Sequence, residues 1–156
     1  MGRQDFLTTL YITRKNLIHG KSKSFKFNSN NTKHITAGLC VNSNGINPPP
    51  LIITSNTKEI PESIIIQSKT NQVWTGSTNN GWMTRSMFYF WANLFVQWLN
   101  IMRQTLPEEI REHYILLFLD GHSSRVFPNV LNIIQGNNVI VVKYPSHCTH
   151  TLQEID

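Results

Sequence analysis

The sequence predicts an α/β domain with a mixed sheet, in which an antiparallel hairpin comes first and parallel strands follow, flanked by helices and incomplete at both ends. Two observations support this fold class. Early in the chain, short runs of apolar and β-branched residues are separated by Gly-rich and Pro-rich turns. Later, a strand, a helix and a second strand follow one another, which is the order that produces a parallel pair.

Length and composition indicate one globular domain. The chain has 156 residues, of which 40% are hydrophobic and 10% aromatic, so it can bury a core and is not of disordered composition. No apolar run approaches the roughly 18 residues of a membrane span, and the first residues lack the apolar core of a signal peptide. We expect a basic segment with a partial first strand over residues 1–33 and the main domain over residues 34–156.

The hairpin is predicted from two neighbouring runs. Residues 34–42 are apolar and β-branched and end at a Ser-Asn-Gly turn signal, which indicates a strand and a turn. After three prolines, residues 51–54 resume as the antiparallel return strand. The Ile-Ile-Ile run at 64–66 is interpreted as a third strand.

An amphipathic helix is predicted over residues 84–102, with Thr84 as its N-cap. Its aromatic and apolar residues recur at spacings of three and four, which line one helix face. Aromatic residues near basic ones can also stack on bases, but the continuous periodicity favours core packing. The residues concerned are Phe88, Tyr89, Trp91, Phe95 and Trp98.

The second half predicts the parallel pair. Residues 107–109 suit a short helical turn, since proline and acidic residues favour helix starts. Residues 114–119 form a continuous apolar run, typical of a central strand covered on both faces. Residues 126–135 read as a helix that ends at Gly-Asn-Asn, and residues 139–142 as another buried strand. A right-handed crossover would bring the carboxyl ends of both strands to one edge.

The chain has three aspartates, and Asp120 stands directly after the first of these strands. Open α/β sheets usually bind ligands at that position, although Asp120 could equally serve to cap the following helix. Asp156 follows the second strand at a distance, within a polar and apolar stretch that resembles a helix.

Four segments, in the right order, resemble the catalytic domain of pogo/jerky-type DDE transposases. Residues 119–124 resemble the family's Leu-Asp-Gly-His-Ser-Ser, and residues 145–156 its Pro-Pro-His-Thr-Thr-His-Leu-Leu-Gln-Pro-Leu-Asp. Upstream, residues 48–53 resemble Leu-Pro-Pro-Leu-Ile-Ile, and residues 81–84 match Gly-Trp-Met-Thr. The resemblance covers roughly residues 34–156 and implies an RNase H-like fold.

The resemblance also implies a chemistry. Asp120 and Asp156 would be the second and third members of a catalytic carboxylate triad that binds two Mg²⁺ or Mn²⁺ ions, with His122 and His150 in supporting roles. Hard cations prefer carboxylate ligands, and such pairs promote phosphodiester cleavage. The implied reaction is DNA cleavage and strand transfer, and the implied location is the nucleus, with a homo-oligomer as a further expectation.

The first metal ligand departs from the family pattern. Asp5 is the candidate, but Phe6 follows it where the family has Glu, so the motif is missing or degenerate. Glu154 also stands where the family usually has Pro. The sequence therefore leaves two alternatives open, an active endonuclease and a non-catalytic remnant that binds nucleic acid or protein.

Two other kinds of site are disfavoured. Imidazole and thiolate groups invite a zinc site, but the histidines match family positions without a zinc role. The residues concerned are His122, His147, Cys148 and His150. A Ser-His-Asp hydrolase site at 120–123 lacks the nucleophile-elbow pattern. The two cysteines, far apart in sequence, indicate no disulfide framework and suit a reducing, intracellular setting.

Overall fold

A computed structural model describes residues 7–16, 34–43, 45–55, 65, 68–119 and 126–143, with the backbone alone for residues 7–16 and 34. The strands are β1 (Leu7–Asn16), β2 (His34–Asn42), β3 (Leu51–Thr54), β4 (Trp74–Ser77), β5 (Ile115–Leu119) and β6 (Val139–Lys143). The helices are α1 (Arg85–Gln104), α2 (Glu108–Arg111) and α3 (Pro128–Gln135).

The strands form one mixed sheet in the order β4-β3-β2-β1-β5-β6. Strand β2 is antiparallel to both of its neighbours, β1 and β3. The other three pairs, β3 with β4, β1 with β5 and β5 with β6, are parallel. The predicted mixed sheet is therefore confirmed, and the amino-terminal segment contributes a ten-residue strand at its centre.

The hairpin of β2 and β3 has the predicted bounds. The turn after β2 is closed by a hydrogen bond from the Gly45 amide to the Asn42 carbonyl, at 3.0 Å. Gly45 has a φ of +81°, a conformation that only glycine adopts without strain. The three prolines that follow lie between the strands, where no ladder amide is needed.

The prediction of a strand at residues 64–66 is wrong for its central residue. Ile65 has a helical backbone, and its neighbours lie outside the described residues. The fourth strand begins instead at Trp74, beside β3. Ile65 is exposed. Its β-branched side chain therefore does not gain the packing on a sheet surface that favours such residues in strands.

The long helix α1 begins as predicted. The Thr84 hydroxyl oxygen accepts a hydrogen bond from the Met87 amide at 3.2 Å, which satisfies one of the free amides of the first turn. The ring centroids of Phe88 and Trp91 are 5.2 Å apart, and those of Trp91 and Phe95 are 5.0 Å apart. All three rings are buried and Trp98 packs against the core, so core packing is confirmed for these residues. The prediction is wrong for Tyr89, which is exposed.

The core lies between one face of the sheet and the helices. The inward residues of the strands join those of α1 and α3 in a single cluster. Its strand members include Cys40, Leu51, Ile53, Leu117 and Leu119. On the opposite face, the alternate residues of β2 and β5 are half-buried. One face of the sheet is therefore much more completely packed than the other.

The segment β5–α3–β6 forms a parallel crossover, as predicted. Two details of the expectation are corrected. Leu116 and Phe118 are half-buried, so β5 is not fully covered on both faces. In β6 only Val139 is buried and Ile140 is exposed, because β6 lies at the edge of the described sheet. The continuous apolar sequence of β6 predicted a buried strand, but an edge strand is less buried than a central one.

A buried arginine ties the end of α1 to the turns that precede β5 and β6. Arg103 is only 7% exposed. Its guanidinium donates to the carbonyls of Asn137 at 2.9 Å, His113 at 3.2 Å and Asn138 at 3.4 Å. Burial lowers the pKa of Arg103, and the charge of Glu112 opposes that shift. A polar cavity of about 220 Å³ opens beside this residue.

Across the described part of the chain, no helix is long and apolar enough to cross a lipid bilayer.

Candidate active site at the carboxyl ends of β5 and β6

The candidate site is the edge of the sheet at which β5 and β6 end. The two strands are in register from Ile115 opposite Val139 to Leu119 opposite Lys143, so they end level with each other. Leu119 is completely buried, which fixes the end of β5 in the core. Asp120 is the next residue in the sequence. The strand that precedes Asp120 thus ends in the packed core.

The sequence-predicted site residues themselves lie outside the described residues. They are Asp5, Asp120, His122, His150 and Asp156, and the proposed capping role of Asp120 falls outside as well. Asp156 is separated from the end of β6 at Lys143 by twelve residues, all outside the described ranges. The convergence of Asp120 with Asp156 therefore remains a prediction.

Strand β1 is the other neighbour of β5, and it is parallel to β5. From Leu7 to Asn16 it contains no Asp or Glu, but it does contain Arg14 and Lys15. Leu7, two residues after Asp5, pairs with Leu116, three residues before the end of β5. Leu7 is the described residue closest in sequence to Asp5. Measured along the strands, it therefore lies about 10 Å before the level of Leu119.

Metal-binding groups are scarce in the described regions. Within residues 35–43, 45–55, 65, 68–119 and 126–143, no group of three His, Cys, Asp or Glu residues could hold a metal ion. This result bears on neither the carboxylate site nor the zinc alternative, because the three aspartates and Cys148 lie outside these ranges.

Cys40 is buried on the packed face of β2. Burial raises the pKa of its thiol far above the ordinary value, because the charged thiolate would lose its solvation. A thiol that keeps its proton is neither a nucleophile nor a ready metal ligand. Cys40 is accordingly a core residue.

The loop between β4 and α1 contains a residue that sequence patterns did not single out. Trp82 belongs to the Gly-Trp-Met-Thr segment of residues 81–84, and its side chain is 38% exposed. A helix periodicity search cannot find it because it precedes the helix. The sequence signal that could have identified Trp82 is the Gly-Trp-Met-Thr segment to which it belongs.

Comparison with protein families shows which family the chain resembles. The model of the DDE superfamily endonuclease family matches residues 32–156. This range includes every described element except β1, and it includes Asp120 and Asp156 but not Asp5. The mixed α/β architecture is consistent with the RNase H-like fold of such domains. No curated protein and no solved structure matches the chain.

Proposed function

Because this chain belongs to the DDE superfamily endonuclease family, we propose that it is a transposase-derived nuclease domain that cleaves DNA with the help of a divalent metal ion. The observation that supports the proposal is that β5 ends at the buried Leu119, level with the end of β6, and that Asp120 is the next residue in the sequence. Rigid strand ends hold ligands to within the tolerance that a reaction needs.

The donor chemistry at this edge fits Mg²⁺ or Mn²⁺. Asp120 and Asp156 would supply carboxylate oxygens, which are the ligands that these hard cations prefer. When bound, two such ions supply activation of the attacking oxygen and stabilisation of the leaving oxygen. We assign His122 and His150 supporting roles, in which they orient a carboxylate or the scissile phosphate by hydrogen bonds.

The third carboxylate does not come from the strand next to β5. Strand β1, parallel to β5 and next to it, offers no Asp or Glu. Asp5 would have to come from beyond the start of β1, whereas Asp120 follows the end of β5. A working site therefore needs a carboxylate from outside β1, and the candidates are Asp5, Glu59, Glu62, Glu154 and a carboxylate from a second copy of the chain.

The alternative function is DNA binding without cleavage. The observation that favours it is the same strand β1, in which Arg14 and Lys15 are present and acidic residues are absent. A domain of this kind would bind phosphates through its lysines and arginines, and its affinity would fall steeply with salt. Nuclear location would suit either function, whereas DNA strand transfer belongs to the first proposal because it requires an active site.

Nicking of supercoiled plasmid with Mg²⁺ or Mn²⁺ separates the two functions. We expect the unmodified chain to nick DNA only with metal, and Asp120→Asn and Asp156→Asn to abolish nicking. Glu108→Gln is a matched control, since it removes one carboxylate from the exposed first turn of α2. It should leave nicking unchanged.

The salt dependence of DNA binding completes the test. If no variant nicks and Asp120→Asn binds DNA as the unmodified chain does, the cleavage proposal is refuted and the binding function holds. If the unmodified chain neither nicks nor binds DNA at low salt, both proposals are wrong.

A further inference from the structure

We propose that Trp82 is a base-stacking residue, which holds an unpaired nucleotide of the DNA at the same end of the sheet as Asp120. The inference rests on the proposed function, because it requires DNA to reach this domain. It adds a residue, a contact and a preferred form of DNA to that function.

The loop presents Trp82 in a defined backbone conformation. The Trp82 amide donates to the side-chain oxygen of Asn80 at 3.2 Å, and its carbonyl accepts from the Thr78 hydroxyl at 3.0 Å. The Gly81 amide donates to the Thr78 carbonyl at 3.3 Å, and Gly81 has a φ of +72°. Local hydrogen bonds thus set the direction in which the chain passes through residue 82.

Both ends of the loop are also anchored to the core. The hydroxyl of Thr36, a buried residue of β2, donates to the Gly81 carbonyl at 2.7 Å. On the other side, Met83 packs against the core and Thr84 caps α1. A residue fixed in this way loses little conformational entropy when it binds a ligand.

Trp82 is the most exposed of the four tryptophans. Trp74 and Trp91 are buried and Trp98 is half-buried, whereas Trp82 is 38% exposed. Of the four, Trp82 therefore offers a nucleotide the most accessible side-chain surface.

The loop lies at the same end of the sheet as the candidate active site. All the described strands except β2 run in one direction. The loop follows the carboxyl end of β4, and Asp120 follows the carboxyl end of β5 in the sequence. Thr36, which binds the loop, pairs with Arg14 of β1, next to Lys15. Two basic residues therefore belong to the strand between β2, which binds the loop, and β5, which precedes Asp120 in the sequence.

The separation suits a single DNA strand. Phe118 pairs with Thr9, so Leu119 is level with Leu10, four residues before Arg14. Four residues along a strand and two strand spacings across give about 16 Å between Thr36 and Leu119. At about 3.4 Å of rise per nucleotide, this distance corresponds to roughly five nucleotides.

Aromatic stacking determines the form of DNA. Every base has a face on which an indole can stack, so the contact is tolerant of sequence. In a duplex those faces are covered by neighbouring base pairs. We therefore expect Trp82 to bind bases in single-stranded or frayed DNA near the cleavage site and to contribute little to duplex binding.

Fluorescence anisotropy with a labelled single-stranded oligonucleotide of about 20 nucleotides tests the contact. Trp82→Ala should weaken binding about 5- to 100-fold, and Trp82→Phe should retain most of the affinity because it keeps an aromatic face. Tyr114→Ala is the matched control. Tyr114 is 64% exposed and precedes β5, at the opposite end of the sheet, so its removal should not change binding.

Tryptophan fluorescence of the unmodified chain gives a second measurement, which does not depend on how well Trp82→Ala folds. Single-stranded DNA should quench the emission, and Trp82→Phe should lose that quenching while it still binds. Equal affinity of Trp82→Ala and the unmodified chain, or quenching that persists in Trp82→Phe, would overturn the inference. A chain that binds no single-stranded oligonucleotide but still nicks or binds duplex DNA overturns the inference alone. A chain that neither nicks nor binds any DNA refutes the proposed function, and the inference with it.

Discussion

Replacement of Arg103 by methionine tests whether a buried charge stabilises this fold or is a cost that the fold tolerates. Methionine keeps the length and the apolar stem of the side chain and removes the guanidinium. Three carbonyls then lose a donor, those of Asn137, His113 and Asn138. The Asn138 carbonyl still accepts from the Ile115 amide at 3.0 Å, so two carbonyls are left with a deficit.

The expected change is the difference between two opposing effects. Each carbonyl that loses its partner costs about 1–3 kcal/mol, so two cost roughly 2–6 kcal/mol. In return, a buried charge is no longer desolvated. The guanidinium Nε, which has no partner in the described part of the structure, is also removed, a gain of about 1–3 kcal/mol. We expect a net loss of about 2 kcal/mol in the free energy of unfolding.

Thermal and urea unfolding measure this loss. For a chain of this size, about 2 kcal/mol corresponds to a fall of roughly 4–8 °C in the melting temperature. Arg111→Met is the control. The Nε of Arg111 donates to the Leu106 carbonyl at 2.8 Å, but Arg111 is half-buried, so its loss should cost less than about 1 kcal/mol. An Arg103→Met protein as stable as the unmodified chain would refute the reasoning, because desolvation would then outweigh the hydrogen bonds.

Three further predictions follow from the core and the loop. Phe95→Ala should lower the free energy of unfolding by about 3–5 kcal/mol, measured in urea, because it leaves a cavity among stacked rings; an effect under 1 kcal/mol would contradict this packing. Cys40, studied in a Cys148→Ser background, should react with iodoacetamide only as fast as the chain unfolds. The unfolded thiol ionises near pH 8.5 and the buried one does not, so stability should decline as pH rises above about 8.5. Thr36→Val should cost about 1–3 kcal/mol and speed hydrogen exchange of the Gly81 amide, whereas Thr75→Val in β4 should not alter that exchange.

Local sequence patterns predicted most of the elements. The N-cap of α1, the bounds of β2 and β3 and the β5–α3–β6 crossover followed from periodicity and turn residues, which act over a few neighbours. The strand β4 at Trp74–Ser77 was missed because it is four residues long and includes Gly76. Its presence depends on pairing with β3, which is a long-range contact.

The candidate site was predictable in part for the same reason. Asp120 could be placed at a strand end because the apolar run before it is continuous and the motif around it is specific. The position of β1 could not be predicted, since its neighbour β5 lies about a hundred residues further along the chain. The sequence alone therefore could not show that the strand paired with β5 in the middle of the sheet contains no carboxylate.

The central position of β1 has a consequence for synthesis of the protein on the ribosome. Strand β1 can pair with β2 soon after residue 42 has emerged, but its other edge pairs with β5, which ends at residue 119. At roughly 5–20 residues per second, translation of the intervening segment takes about 4–15 s. For that time Leu7, Thr8 and Thr9, the residues of β1 that pair with β5, lack that partner, and this edge can pair with another nascent chain. Slow translation, or a pause between β2 and β5, should therefore favour aggregation.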